Sequence, residues 1–210
     1  MYVGRIVAVG MNQKGKCVGM YRVSSRSFPN RVTRFNGPFI AVVPKDGFVD
    51  DYKKSPYIAY NCIRLANENA VISNGSHTDP IAEKIKMGYP IRDALALSLL
   101  SLDYEKDNYN TPRIAGVITK KSNKALLGII KKDALLVKEF NLTPGKLFYI
   151  ATYEHDTPCF HYCDNDFDAV DSEEARNYVM SKGVFKDLEN PVTSAAVIEA
   201  SDGFELGSEG

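Results

Sequence analysis

The hydrophobic period of this chain changes twice, and that double change limits the folds open to it. From Val3 to Ser73 apolar side chains recur in short runs broken by turn residues; from Thr78 to about Leu102 they recur at helical spacing; from Arg113 to Thr152 the short runs return. Recurrence at every second residue buries one face of a strand, whereas recurrence at three and four residues buries one stripe of a helix. Strands on both sides of a central helical pair argue for an α+β chain of antiparallel sheets covered by helices.

The opening run breaks at Asn12-Gln13-Lys14-Gly15 and resumes through Val18, Met20 and Arg22, the pattern of a β-hairpin. Phe39–Val43, Tyr57–Leu65 and Ala70–Ser73 follow as strands, with Pro44-Lys45-Asp46-Gly47 and Asn67-Glu68-Asn69 as turns. Thr78-Asp79-Pro80 opens a helix that Gly88 can end, and a second helix begins at about Pro90. There Ile91, Ala94, Leu95, Leu99 and Leu102 form one stripe while Leu97 and Leu100 lie off it, which predicts burial on more than one face. Arg113–Thr119, Ala125–Ile130, Leu135–Phe140 and Leu147–Thr152 read as a second group of antiparallel strands. Asp171-Ser172-Glu173-Glu174 opens a last helix to about Ser181, which Gly183 can close. Residues 1–200 are expected to form a single domain and Ser201–Gly210 a flexible tail.

Charge narrows the partners. Lys plus Arg and Asp plus Glu number 26 each, so no overall basic field draws the chain to nucleic acid. The longest strongly apolar run, Ala94 to Leu102, falls short of the ~18 residues a membrane span needs, and Met1–Val7 has no basic leader, so a cytoplasmic protein is expected. In that compartment Cys17, Cys62, Cys159 and Cys163 read as free thiols.

Three motifs imitate ligand sites. Gly10-Met11-Asn12-Gln13-Lys14-Gly15-Lys16-Cys17 approaches a phosphate-binding loop but lacks the final hydroxyl and the following helix. His155, Cys159, His161 and Cys163 match no common zinc spacing, and Asp164, Asp166 and Asp168 lack the glycine and closing acid of a calcium loop. No metal or organic cofactor is called for.

Four stretches could carry chemistry. Tyr21–Arg31 (YRVSSRSFPNR) crowds arginines and hydroxyls into a turn, as a phosphate cradle would, although by composition a solvated loop is an equal reading. In Pro56–Arg64 (PYIAYNCIR), alternation puts Tyr60, Cys62 and Arg64 on one face and Asn61 on the other; a sheet-filling tyrosine is the plainer alternative. Ser73–Asp79 (SNGSHTD) runs into a helix N-terminus, and Asp103–Arg113 (DYEKDNYNTPR) puts carboxylates at a helix end.

Together these four motifs, with Asn190-Pro191-Val192-Thr193, resemble the archaeal-type IMP cyclohydrolase family. The resemblance implies a four-layer αββα sandwich of two antiparallel sheets flanked by helices, like that of N-terminal-nucleophile hydrolases. It also implies ring closure of 5-formamidoimidazole-4-carboxamide ribonucleotide to IMP with loss of water. The hydrolases' nucleophile is absent, since the chain begins Met1-Tyr2. The family's expected catalytic positions fall on Arg31, Tyr60 and Glu105. Arg22 and Arg26 are candidates for the 5′-phosphate, and Asn61, His77, Asn110 and Arg113 for base or ribose. A homo-oligomer is expected, with neither nucleic acid nor membrane as partner. The competing function is a regulatory protein that binds a purine nucleotide without turning it over.

Overall fold

The computed structural model describes residues 1–210. In chain order the elements are β1 (Ile6–Met11), β2 (Cys17–Ser24), β3 (Arg31–Asn36), β4 (Phe39–Pro44), the short helix α1 (Asp51–Lys54), β5 (Tyr60–Ala66) and β6 (Asn69–Ser73). Then come α2 (Thr78–Lys86), α3 (Ile91–Leu102), β7 (Arg113–Thr119), β8 (Lys124–Lys131), β9 (Ala134–Asn141), β10 (Lys146–Ala151) and β11 (Cys163–Asp164). The chain ends with α4 (Ser172–Ser181), a single 3-10 turn (Gly183–Phe185), β12 (Pro191–Ala200) and β13 (Gly203–Gly207).

These strands form two antiparallel sheets, one in the order β11-β10-β1-β2-β12-β13 and one in the order β3-β4-β5-β6-β7-β8-β9. The strands before and after the helical pair therefore do not form separate sheets. β7 to β9 extend the sheet of β3 to β6, and β10 returns to pair with β1. Val7, Val9, Tyr21, Val23, Ile40, Ile72, Ile114 and Phe148 fill the space between the sheets. Ala175 and Val179 of α4 pack on the outer face of the six-stranded sheet, against Ile6, Met20 and Ile198. On the far side Ile81, Ile85 and Leu95 of α2 and α3 pack against Val71, Ala115 and Val117. Every residue of β1 and β2 is buried, because that hairpin has the second sheet on one face and α4 on the other.

Several segments depart from the sequence reading. Leu97 and Leu100 of α3 are exposed, since only one face of that helix meets the sheet. β3 and β12 had no clean alternation to announce them. Ser201–Gly210 is not a free tail: Gly203–Gly207 pairs along β12, and the Gly210 amide donates to the Thr33 carbonyl.

β5 carries the difference that matters most for the site. The register against β4 slips between Ile40 and Ala41, which pair with Ile63 and Asn61, so Cys62 is the extra residue of a β-bulge. Cys62 and Ile63 both enter the core between the sheets, and alternation restarts out of phase. Arg64 therefore leaves the Tyr60 face and joins Asn61 outside, where it donates to Asp79 (3.1 Å) and Glu83 (2.7 Å) of α2.

Candidate active site

One end of the two sheets gathers the start of β1, the end of β2, the starts of β3 and β5, and the loop between α3 and β7. Together they line a cleft of about 180 Å³ that opens to solvent. Arg5, Ser25, Arg26, Arg31, Glu105 and Thr111 supply its polar wall, and Tyr2, Tyr57, Tyr109 and Tyr153 its aromatic one.

Arg5 stands where the chain enters β1, held by the turn before it. Gly4 has φ +72°, and a Cβ there would overlap Thr152 Oγ1. That close approach lets the Arg5 amide donate to Thr152 Oγ1 (3.1 Å) and aims the side chain at the cleft. Arg5 Nη2 donates to Glu105 Oε2 at 3.0 Å.

Glu105 is presented by a tightly folded loop. Its amide donates to the Thr111 carbonyl (2.8 Å), and Asp107 accepts from the Thr111 amide (2.9 Å) and hydroxyl (2.7 Å). Asn110 contributes backbone shape: its φ is +48°, a conformation asparagine tolerates better than most residues. Arg113 closes the loop by donating from Nε to the Asp103 carbonyl (2.8 Å), with its guanidinium 5.7 Å from the Tyr57 ring.

Glu105 is buried and Arg5 half-buried, and the pair is incompletely bonded. Oε1 of Glu105 and Nε of Arg5 are both shielded from solvent and have no partner. Burial raises the Glu105 carboxyl above its ordinary pKa against the pull of Arg5 and Arg113, so its proton is held more readily than an exposed glutamate's. Glu105 in turn helps keep Arg5 charged.

Arg31 is almost fully buried, with Nε donating to the Phe28 carbonyl (3.1 Å), and burial lowers its pKa. Tyr60 sits behind the cleft wall, close enough that Arg31 and Arg5 favour its ionised form, but burial outweighs them and raises its pKa. Its hydroxyl lies 2.6 Å from that of Tyr21. At the mouth, Arg26 is exposed, donates to Glu189 Oε2 (3.0 Å) and lies 4.3 Å over the Tyr2 ring, beside Ser25 and Ser27.

The structure thus brings Arg31, Tyr60, Glu105 and Arg26 together, and it places other candidates elsewhere. Arg22 points to the opposite side of β2, where its guanidinium donates to the carbonyls of Val179, Met180, Phe185, Leu188 and Glu189 and to Ser24 Oγ. No donor remains for a phosphate, so that assignment is corrected. Asn61 is outside the cleft, donating to Asp79 Oδ1 (3.0 Å). His77 is buried under the β6–α2 turn, with Nε2 donating to the Ile114 carbonyl (2.9 Å). His155 stacks on Tyr162 and bonds to the Tyr149 hydroxyl. Sequence reasoning missed Arg5, which belongs to no motif; its one signal is a lone arginine after a glycine, immediately ahead of a fully apolar strand.

Residues 2–203 match the family described as IMP cyclohydrolase-like protein. The IMP cyclohydrolase of Methanosphaera stadtmanae is 45% identical over 202 residues, 96% of each chain. That of Methanocella arvoryzae is 48% identical over 208 residues, covering 99% of this chain and 97% of its own. That of Methanococcus maripaludis strain S2 is 45% identical over 207 residues, 98% of each chain.

Proposed function

The chain belongs to the IMP cyclohydrolase-like family, and from that premise we infer that it is an IMP cyclohydrolase whose cleft closes the purine ring of a formylated imidazole carboxamide ribonucleotide. The observation that carries the inference is the Arg5–Glu105 pair in the wall of a cleft rich in cations, where one carboxylate oxygen and the Arg5 Nε–H have no protein partner.

Ring closure makes one C–N bond and releases one water. The carboxamide nitrogen attacks the formyl carbon, the carbonyl electron pair moves to oxygen, and the nitrogen gives up a proton. The resulting carbinolamine loses its hydroxyl as water, and the former formamido nitrogen gives up its proton to form the new C=N bond. An amide nitrogen is a weak nucleophile, so holding the two groups together contributes much of the rate. Glu105 Oε1 is the base for the attacking nitrogen, and its raised pKa suits it to return that proton to the departing oxygen. Arg31 and Tyr60 stabilise the oxygen as it gains charge, Tyr60 as a neutral phenol that donates. Arg5 orients Glu105 and takes its charge.

Arg26, with Ser25 and Ser27, receives the 5′-phosphate at the mouth, exchanging its bond to Glu189 for a stronger anion. The aromatic wall of Tyr2, Tyr57, Tyr109 and Tyr153 is left for base and ribose, with Arg113 behind Tyr57. Asn61 and His77 do not line the cleft; Asn61 ties β5 to α2 through Asp79, and His77 ties the turn between β6 and α2 to β7. Two stacked sheets between helical layers support the likeness to N-terminal-nucleophile hydrolases. The exposed Leu97, Leu100 and Leu102 of α3 and Leu135 and Leu136 of β9 support association between copies, which sedimentation would reveal as a mass above 23.3 kDa.

The test is to incubate chelator-treated protein with 5-formamidoimidazole-4-carboxamide ribonucleotide and follow IMP by chromatography. Protein-dependent IMP is expected. Tight binding of IMP without any turnover would instead favour the nucleotide-binding regulator.

A further inference from the structure

We propose that Tyr21 is a positioning residue for the ring closure: its hydroxyl donates to the Tyr60 oxygen and so turns the Tyr60 proton toward the cleft. The inference rests on the role given to Tyr60 above and extends it to a residue that does not line the cleft.

Tyr21 lies in β2 with no solvent exposure, its ring set edge-on to that of Tyr60 at 6.3 Å between centroids, inside the apolar layer between the sheets. Its hydroxyl has one partner, the Tyr60 hydroxyl at 2.6 Å. Two phenols that share one hydrogen bond have two protons, and only one of them can lie between the oxygens. If Tyr60 donated, the Tyr21 proton would point into apolar core with no acceptor, at a cost of roughly 1–3 kcal/mol. With Tyr21 donating, both protons are accommodated, because Tyr60 keeps 8% exposure where Tyr21 has none, so its hydroxyl is the one that can turn out of the core. Burial keeps both phenols protonated at neutral pH, and the accepted bond makes the Tyr60 phenolate easier to form. The donor direction at Tyr60 is thus fixed before substrate arrives, which removes a rotation the hydroxyl would otherwise have to make.

Tyr21→Phe deletes one oxygen and keeps the ring that fills the core. In wild-type protein that forms IMP, this variant should lower kcat about 10- to 100-fold while KM stays within about threefold. In a Tyr60→Phe background the same change should cost less than about twofold, since no proton is left to aim. Unchanged kcat in Tyr21→Phe overturns the proposal alone, as does an equal loss in both backgrounds, which would mark a structural role. Wild-type protein that forms no IMP overturns the assigned reaction and this proposal with it.

Discussion

Adjacent residues on β2 meet opposite fates. Tyr21 points between the sheets toward the cleft, and Arg22 points away toward α4. Arg22 is a buried cation with every donor engaged. Two of its acceptors, the carbonyls of Val179 and Met180, belong to the last turn of α4, where helix carbonyls lack partners and the helix dipole is negative. Burial with no carboxylate alongside lowers its pKa to about 10, still well above neutrality. Arg5 is only half-buried, and its Nε and the Oε1 of its buried partner are left unbonded. A saturated buried charge ties elements together, whereas an unsaturated one beside a cleft is open to a ligand.

That contrast is easiest to break at Arg22. Arg22→Met should lower unfolding free energy by about 3–5 kcal/mol, because five carbonyls lose their donor in a buried setting. Urea denaturation followed by circular dichroism would measure it, and KM of the folded protein should not move. A stable variant with a raised KM would return Arg22 to the substrate.

On the unsaturated side, Glu105→Gln should cut kcat about 100- to 1,000-fold, roughly 3–4 kcal/mol of barrier, and change stability far less. As the base, Glu105 must be ionised, and burial raises its pKa. The rate should therefore fall with acidity at a pH above the ordinary glutamate value of 4.5, and this limb should vanish in the Gln variant. A Gln variant with full turnover removes Glu105 from the mechanism. Arg26→Ala should raise KM about tenfold and leave kcat within about twofold, since an exposed arginine at the mouth binds but does not react.

Most strands, though not β3, β11, β12 or β13, and the three long helices were legible because turn residues and cap residues bracket them, as Asp171 does by accepting from the Glu174 amide at the start of α4. Sheet membership was not, because β7 and β10 follow one another in style but part company in space. The failures at Arg22 and Arg64 have separate causes. Both faces of β2 are buried, so its residue pattern has no polar side to say which way Arg22 turns. In β5 a one-residue bulge at Cys62 reverses the direction of Arg64, and nothing in Tyr60-Asn61-Cys62-Ile63-Arg64 announces it. Glu105, Arg31 and Tyr60 came through a family motif, which preserves side chains by role and needs no knowledge of geometry. Arg5 has no motif around it, and only the fold brings it within 3.0 Å of Glu105, one hundred positions away in sequence.

His77 sharpens the rule with the smallest effect. Its Nδ1 is as buried and unbonded as Arg5 Nε, but it does not line the cleft, and Arg64 Nε and Ser98 Oγ share that condition elsewhere. An unbonded atom therefore marks a site only where a cavity reaches it. Since Nε2 faces the Ile114 carbonyl, the proton must sit on Nε2 and the lone pair on Nδ1, near Arg113. Burial and, secondarily, Arg113 oppose a second proton and lower the pKa from 6.5 to about 3. The folded protein then binds fewer protons than the unfolded chain between those values, so this contribution is intact above pH 6.5 and is lost as pH falls toward 3. From pH 6.5 to 5.5 the loss should be about 1 kcal/mol, read from urea midpoints at each pH. His77→Gln should flatten that slope while leaving KM unchanged. A raised KM in that variant would mean that the substrate reaches the turn between β6 and α2, and that the cleft is larger than its present walls.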